Sequence, residues 1–162
     1  MKFLARAFAT GFFIGHMPFA GGTWASLIGC AAWVLLSKGP FYHLAAAAVI
    51  LLGFPLAGYA ERRLYDGRDP SQVVIDEIAG MLITYASFTF TADPRGVLFL
   101  IAGFLLFRLF DILKPFPANA LQSLRGGAGI MMDDVAAGIY ANAALQILRL
   151  LLGMRNGGGG TL

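Results

Sequence analysis

The chain has 162 residues, 58% hydrophobic and 13% charged, with a mean hydropathy of +0.72 and a formal net charge of +3. That charged share is about half the ~25% usual in soluble globular domains, too little for a polar surface, while disorder would need low hydrophobicity. Scattered basic residues exclude a nucleic-acid module, one cysteine (Cys30) excludes a disulfide framework or a multi-cysteine zinc site, and an integral membrane protein remains.

Residues 1–153 read as a single membrane-embedded domain, and 154–162, with the run Gly157 to Gly160, as a flexible tail. Sheet edges are not tolerated in lipid, so the expected fold is all-α: a polytopic helix bundle with four or five transmembrane helices and an amphipathic N-terminal segment. In residues 1–19, Lys2 and Arg6 precede an apolar run from Phe8 that Thr10, Gly11, Gly15 and His16 interrupt. With no clean cleavage site, this is a retained amphipathic or partly inserted helix. Residues 24–37 fall short of the ~20 that a span needs, and either cross or re-enter. Residues 42–60 are an uncharged span. Residues 78–92 can just cross, with Asp76 and Glu77 at one rim and Asp93 at the other. A further helix starts near Gly96 and returns to Arg108 and Asp111, ended by Lys114-Pro115. Residues 116–132 are expected to be a loop, after which Asp133 and Asp134 open the last helix.

This threading collects Glu61, Asp66, Asp69, Asp76, Glu77, Asp111, Asp133 and Asp134 on one side and leaves Asp93 opposite. A helix N-terminus favours a nearby acid by roughly 0.3–1 kcal/mol, which accounts for Asp76 or Asp133 singly. It does not account for two adjacent pairs, nor for Asp111 near a helix C-terminus. Crowded like charges call for a cation among them. The same side carries Lys2, Arg6, Arg62, Arg63, Arg68, Arg108, Lys114 and Arg125, against Lys38, Arg95, Arg149 and Arg155 opposite. The positive-inside tendency makes it cytoplasmic.

Asp76, Gly80 and Thr84 recur at intervals of four, as do Asp134, Gly138 and Asn142, so each set lies along one helix face. The small and polar members suit close helix packing. Arg108, Asp111 and Lys114 recur at three and place Asp111 between two cations, an organised charge site. Gly126-Gly127-Ala128-Gly129 can bring backbone N–H groups to an anion or shape a tight turn. Carboxylates with Arg and Lys, and no histidine cluster, fit hard-cation chemistry. Mg²⁺ takes one or two carboxylates plus phosphate oxygens, and Arg binds phosphate in a fork. HExxH, GxSxG and GxxxxGK[ST] patterns are absent. Cys30 reads as a small buried hydrophobe, and His16 and His43 as structural.

Three stretches resemble the phosphatidylglycerophosphatase A family: Asp69-Pro70-Ser71-Gln72-Val73-Val74-Ile75-Asp76-Glu77-Ile78-Ala79-Gly80, Phe107-Arg108-Leu109-Phe110-Asp111-Ile112-Leu113-Lys114-Pro115-Phe116-Pro117, and Gly126-Gly127-Ala128-Gly129-Ile130-Met131-Met132-Asp133-Asp134-Val135-Ala136-Ala137-Gly138. A family Pro-Gly-Thr pattern with a following Gly-Ser pair is replaced here by Gly21-Gly22-Thr23-Trp24-Ala25-Ser26, which keeps the hydroxyls. The resemblance implies a Mg²⁺-dependent enzyme of the bacterial inner membrane, hydrolysing phosphatidylglycerophosphate to phosphatidylglycerol, the precursor of cardiolipin. On that footing Asp76, Glu77, Asp133 and Asp134 are the expected metal ligands, and Asp111 is a further ligand or orienting base. Arg108 and Lys114 hold the phosphoryl group with Thr23, Ser26, Gly126, Gly127 and Gly129. The nucleophile is a metal-activated water or an aspartate.

Rival patterns fit less well. A CDP-alcohol phosphotransferase array could begin at Asp66-Gly67, but Arg68-Asp69-Pro70 does not continue it, and the Ser-Gly-His of histidine-type lipid phosphatases is absent. A small membrane ion transporter with an acidic cytoplasmic-face site is the alternative from another class. Transporters, however, place such residues near the midplane of repeated halves.

Overall fold

The computed structural model describes residues 2–67 and 69–153, so the expected tail at 154–162, with Arg155, and Arg68 lie outside the described residues. The described residues form seven α-helices and no strand: α1 (Lys2–Ala9), α2 (Gly21–Leu36), α3 (Tyr42–Arg63), α4 (Ile75–Thr84), α5 (Pro94–Leu113), α6 (Ala118–Leu121) and α7 (Gly127–Leu151). At 1.5 Å per residue, the 22-residue α3 and the 20-residue α5 are about 33 and 30 Å long, matching a hydrocarbon core. These two are long and apolar enough to cross a membrane. Of the other expected spans, α2 has only 16 residues, α4 only 10, and α7, though 25 residues long, carries Asp133 and Asp134. Large apolar side chains nevertheless face outward, among them Leu51 and Leu52 of α3, Ile101 and Leu105 of α5, and Ile147 and Leu150 of α7. Such outward faces suit lipid rather than water as the surrounding solvent.

The helix expected to run from Asp76 almost to Asp93 is broken. α4 stops at Thr84, after about 15 Å. A helix end leaves carbonyls without intrahelical partners, and deep in a bundle only side chains can satisfy them. Here they come from two neighbouring helices. Tyr42 Oη of α3 donates to Leu82 O at 2.7 Å, and Asn142 Nδ2 of α7 donates to Ile83 O at 3.2 Å and Thr84 O at 2.9 Å. In the segment that follows, Trp33 Nε1 of α2 donates to Phe88 O at 2.9 Å, and His43 Nε2 pairs with Ala86 O at 2.9 Å. Tyr85, fully buried, stacks on Trp33 with ring centroids 4.1 Å apart and donates to Leu100 O of α5. Both histidines are structural in their contacts, since His16 Nε2 lies 3.0 Å from Tyr65 Oη.

α4 is the centre of the bundle and packs against α2, α3, α5 and α7. Its deep end sits in a core with Trp33, Tyr42, Phe107 and Leu145, and its start in a second core with Ala57, Ile130 and Met131. The end of α1 is fastened to that start by Val74 N–H donating to Ala9 O at 2.9 Å. α5 opens normally, with Pro94 in the first turn and Asp93 as its N-cap. The expected loop at 116–132 is instead α6 followed by the first turns of α7. The glycine run therefore lies at a helix start, with Gly126 at φ 68 as N-cap and Gly127 pressed against the backbone of Phe54 and Gly58 in α3.

A candidate active site of buried carboxylates

Asp76 and Glu77 occupy the first turn of α4, and Asp134 lies two turns into α7. One oxygen from each of these three carboxylates lies within 4.8 Å of the other two. The approach depends on two glycines, each one turn beyond an acid. A Cβ on Gly138 would stand 2.5 Å from Gly80 O, and one on Gly80 would meet the Phe107 ring and Asp134 O. With no side chain at either point, α4 and α7 come close enough to pool acids from separate helices.

Asp133 and Asp134 are neighbours on a helix and so point about 100° apart. Asp134 joins the cluster, while Asp133 Oδ2 accepts from Lys114 Nζ at 2.5 Å. Lys114 ends α5 in a left-handed conformation, φ 42 and ψ 58. Burial alone would lower its pKa, but its bond to Asp133 and the charges of Asp133, Asp134 and Asp111 hold it above the ordinary lysine value. One helical turn back, Arg108 Nη1 pairs with Asp111 Oδ2 at 2.6 Å. Gly22 of α2 stands against both Glu77 and Arg108: a Cβ there would touch the Glu77 carboxylate and lie 3.3 Å from Arg108 Nη1. Gly22 thus lets the start of α2 close over the site. Ser26 is buried and donates to Gly22 O at 2.8 Å, while Thr23 is half-buried in the same first turn.

Asp76 Oδ1, Glu77 Oε2 and Asp133 Oδ1 are buried and lack a hydrogen-bond partner among the described residues. Buried carboxylates without partners are costly unless a cation neutralises them. The oxygen-only donor set, the close spacing and the orphaned oxygens together fit a hard divalent cation. Gly126 and Gly129 line a cleft of about 450 Å³ with Glu61, Asp69, Asn119 and Gln122, and none of the three clustered acids lines it. Gln122 Nε2 approaches Asp69 Oδ2 at 3.4 Å there.

A family model described as phosphatidylglycerophosphatase A matches residues 7–149. The chain belongs to the phosphatidylglycerophosphatase A family. It is 33% identical over 143 residues to the phosphatidylglycerophosphatase A of Escherichia coli, covering 86% of this chain and 80% of that protein. Its identity to the Haemophilus influenzae protein of the same name is 36% over 137 residues, covering 82% and 81%. A Bacteroides thetaiotaomicron protein provisionally named as a phosphatidylinositol-3-phosphatase is 38% identical over 158 residues, covering 94% and 98%. No solved structure matches the chain. Membership in the phosphatidylglycerophosphatase A family makes the chain a phosphatase and sets aside the ion-transporter alternative.

Within this phosphatidylglycerophosphatase A fold, the structure gathers Asp76, Glu77 and Asp134, with Arg108, Asp111, Lys114 and Asp133 as two ion pairs. Gly127 lies apart, against α3. Sequence reasoning missed Gly22, whose approach to Glu77 and Arg108 is a relation between α2, α4 and α5. The doubled glycine at the start of an apolar helix was its one signal. It also read Asn142 as packing, where the residue supplies the donors that end α4.

Proposed function

We propose that the chain is a Mg²⁺-dependent phosphatidylglycerophosphatase of the bacterial inner membrane, multi-pass, with its site on the cytoplasmic face. It would convert phosphatidylglycerophosphate to phosphatidylglycerol and phosphate, on the route to cardiolipin. The observation that carries this reading is the convergence of Asp76, Glu77 and Asp134 within 4.8 Å beside the Arg108 and Lys114 ion pairs. Asp76, Glu77 and Asp134 would hold the metal, with Asp133 offering its unpartnered Oδ1. Bound there, the cation supplies Lewis acidity towards phosphoryl oxygens and towards water.

The chain's own residues supply position and charge, which dominate phosphoryl transfer because its transition state is loose. Arg108 presents a guanidinium fork to the phosphomonoester, and Asp111 fixes its direction through the 2.6 Å pair. Lys114 adds a second positive charge, kept protonated and oriented by Asp133. The start of α2, with Thr23 and Ser26, covers the site. Water attacks phosphorus, the bond to the glycerol oxygen breaks, and that oxygen leaves with a proton. Water is favoured over an aspartyl nucleophile because the clustered carboxylates would be committed to holding the metal. Asp111 is the carboxylate outside the three-acid cluster that stands nearest the role of orienting base.

The Bacteroides relative's name supports a second reading, in which the phosphomonoester sits on an inositol ring. Phosphate release from the purified chain with Mg²⁺, measured in parallel on short-chain phosphatidylglycerophosphate and phosphatidylinositol-3-phosphate, decides between them. Turnover of the first alone supports the principal reading, turnover of the second alone replaces it, and turnover of neither overturns both substrates.

A further inference from the structure

An apolar feature lined by none of the clustered carboxylates lies beside the start of α4. Between α1 and α3 runs an apolar groove of about 490 Å³, walled by Phe8 and by Ala48, Leu52, Pro55, Leu56 and Tyr59, with Ile75 as its floor. Its α3 residues follow a four-and-three spacing and so form a single stripe along that helix. From Ala48 to Tyr59 the stripe extends about 17 Å along the axis, close to half the ~30 Å thickness of a hydrocarbon core. Phe8 and Leu52 are each about half exposed, at 48% and 58%, so the groove is open at the surface.

The groove changes character at one end. Tyr59 also lines an adjoining polar cleft of about 510 Å³, together with Lys2, Arg62, Arg63, Tyr65 and Asp66. Lys2 and Arg63 share that lining with a single acid, Asp66, while the Arg62 guanidinium turns towards Gly58 and Gly126. Lys2 lies at the start of α1, and the two arginines end α3, so the basic cleft forms where both helices reach the same end of the stripe. An apolar channel one leaflet deep, leading to a pair of cations, is complementary to one acyl chain joined to a negatively charged headgroup. A neutral headgroup would leave the cations unmatched.

We propose that this groove and cleft bind an anionic phospholipid of the bilayer, one acyl chain lying along the α3 stripe and its phosphate between Lys2 and Arg63. The site is separate from the carboxylate cluster. Its lipid holds α1 against α3, and through the Val74 to Ala9 hydrogen bond steadies the start of α4. The proposal rests on the membrane setting of the chain and not on its phosphatase chemistry.

The test is native mass spectrometry of the detergent-purified full chain with an equimolar mixture of dioleoyl-phosphatidylserine and dioleoyl-phosphatidylcholine. Phosphatidylserine is anionic but is neither the proposed substrate nor its product. The expected result is retention of phosphatidylserine over phosphatidylcholine by about tenfold, because basic residues beside the headgroup attract anionic lipid. In Lys2→Gln/Arg63→Gln that preference falls to near unity while phosphate release in detergent is unchanged. Ala48→Trp, which fills the groove, lowers retention of both lipids. Equal retention of the two lipids by the unaltered chain, or an undiminished preference in the double variant, overturns the proposal. Since the readout is lipid retention, a failed activity assay leaves this result intact, and the converse also holds.

Discussion

Gly138 of α7 faces the carbonyl of Gly80 in α4 so closely that a Cβ would stand 2.5 Å from that oxygen. Each glycine is one turn from an acid of the cluster, Asp134 and Asp76 respectively. Gly138→Ala should therefore separate the helices where their carboxylates must meet. Overpacking of this kind costs about 1–3 kcal/mol. A lowered thermal midpoint together with weakened Mg²⁺ affinity is expected, and calorimetry with isothermal titration measures both. An unchanged affinity would mean that the glycine contact does not set the spacing.

Asp76→Asn and Asp134→Asn should each abolish phosphate release while circular dichroism stays helical. An amide keeps the shape but removes the negative charge that a hard cation requires. Full activity in both variants would remove these residues from the site.

Lys114 combines a left-handed backbone, φ 42, with a 2.5 Å bond to the buried Asp133. That conformation costs a non-glycine residue about 1–2 kcal/mol. Lys114→Gly relieves the backbone and deletes the ammonium, whereas Lys114→Ala deletes the ammonium alone. Both should lose activity, with the glycine variant the more stable of the two in a thermal melt.

Gly22→Ala places a methyl group against the Glu77 carboxylate and 3.3 Å from Arg108 Nη1. Both neighbours are ends of flexible side chains, so the fold should tolerate the change, but the charged groups must shift. Misplacing such groups by about 1 Å can cost as much as ~10²-fold in rate. A fall in kcat with a nearly unchanged melting temperature is expected, measured by phosphate release.

Asn142→Leu removes the donors to Ile83 O and Thr84 O and leaves two deep carbonyls without them. Each unsatisfied buried group costs about 1–3 kcal/mol. The loss should appear chiefly as reduced stability, with residual activity in the folded fraction, because Asn142 lies two turns beyond Asp134.

Much of this protein follows from residue order alone. Scarcity of charge and long apolar runs determine an all-helical chain with apolar outer faces, since exposed backbone is intolerable in lipid. Intervals of three and four place Asp76 with Gly80, Asp134 with Gly138 and Arg108 with Asp111 on shared faces, because helical periodicity is local. What local periodicity cannot decide is where a helix stops when its ending depends on partners far away in the chain. α4 breaks at Thr84 because Tyr42 and Asn142 satisfy its carbonyls, so a run that could just cross becomes a buried half-helix. Nor can residue order divide two adjacent acids between roles. Tertiary packing sends Asp134 to the carboxylate cluster and Asp133 to Lys114, since neighbours on a helix diverge and each is claimed by whichever element lies in its direction.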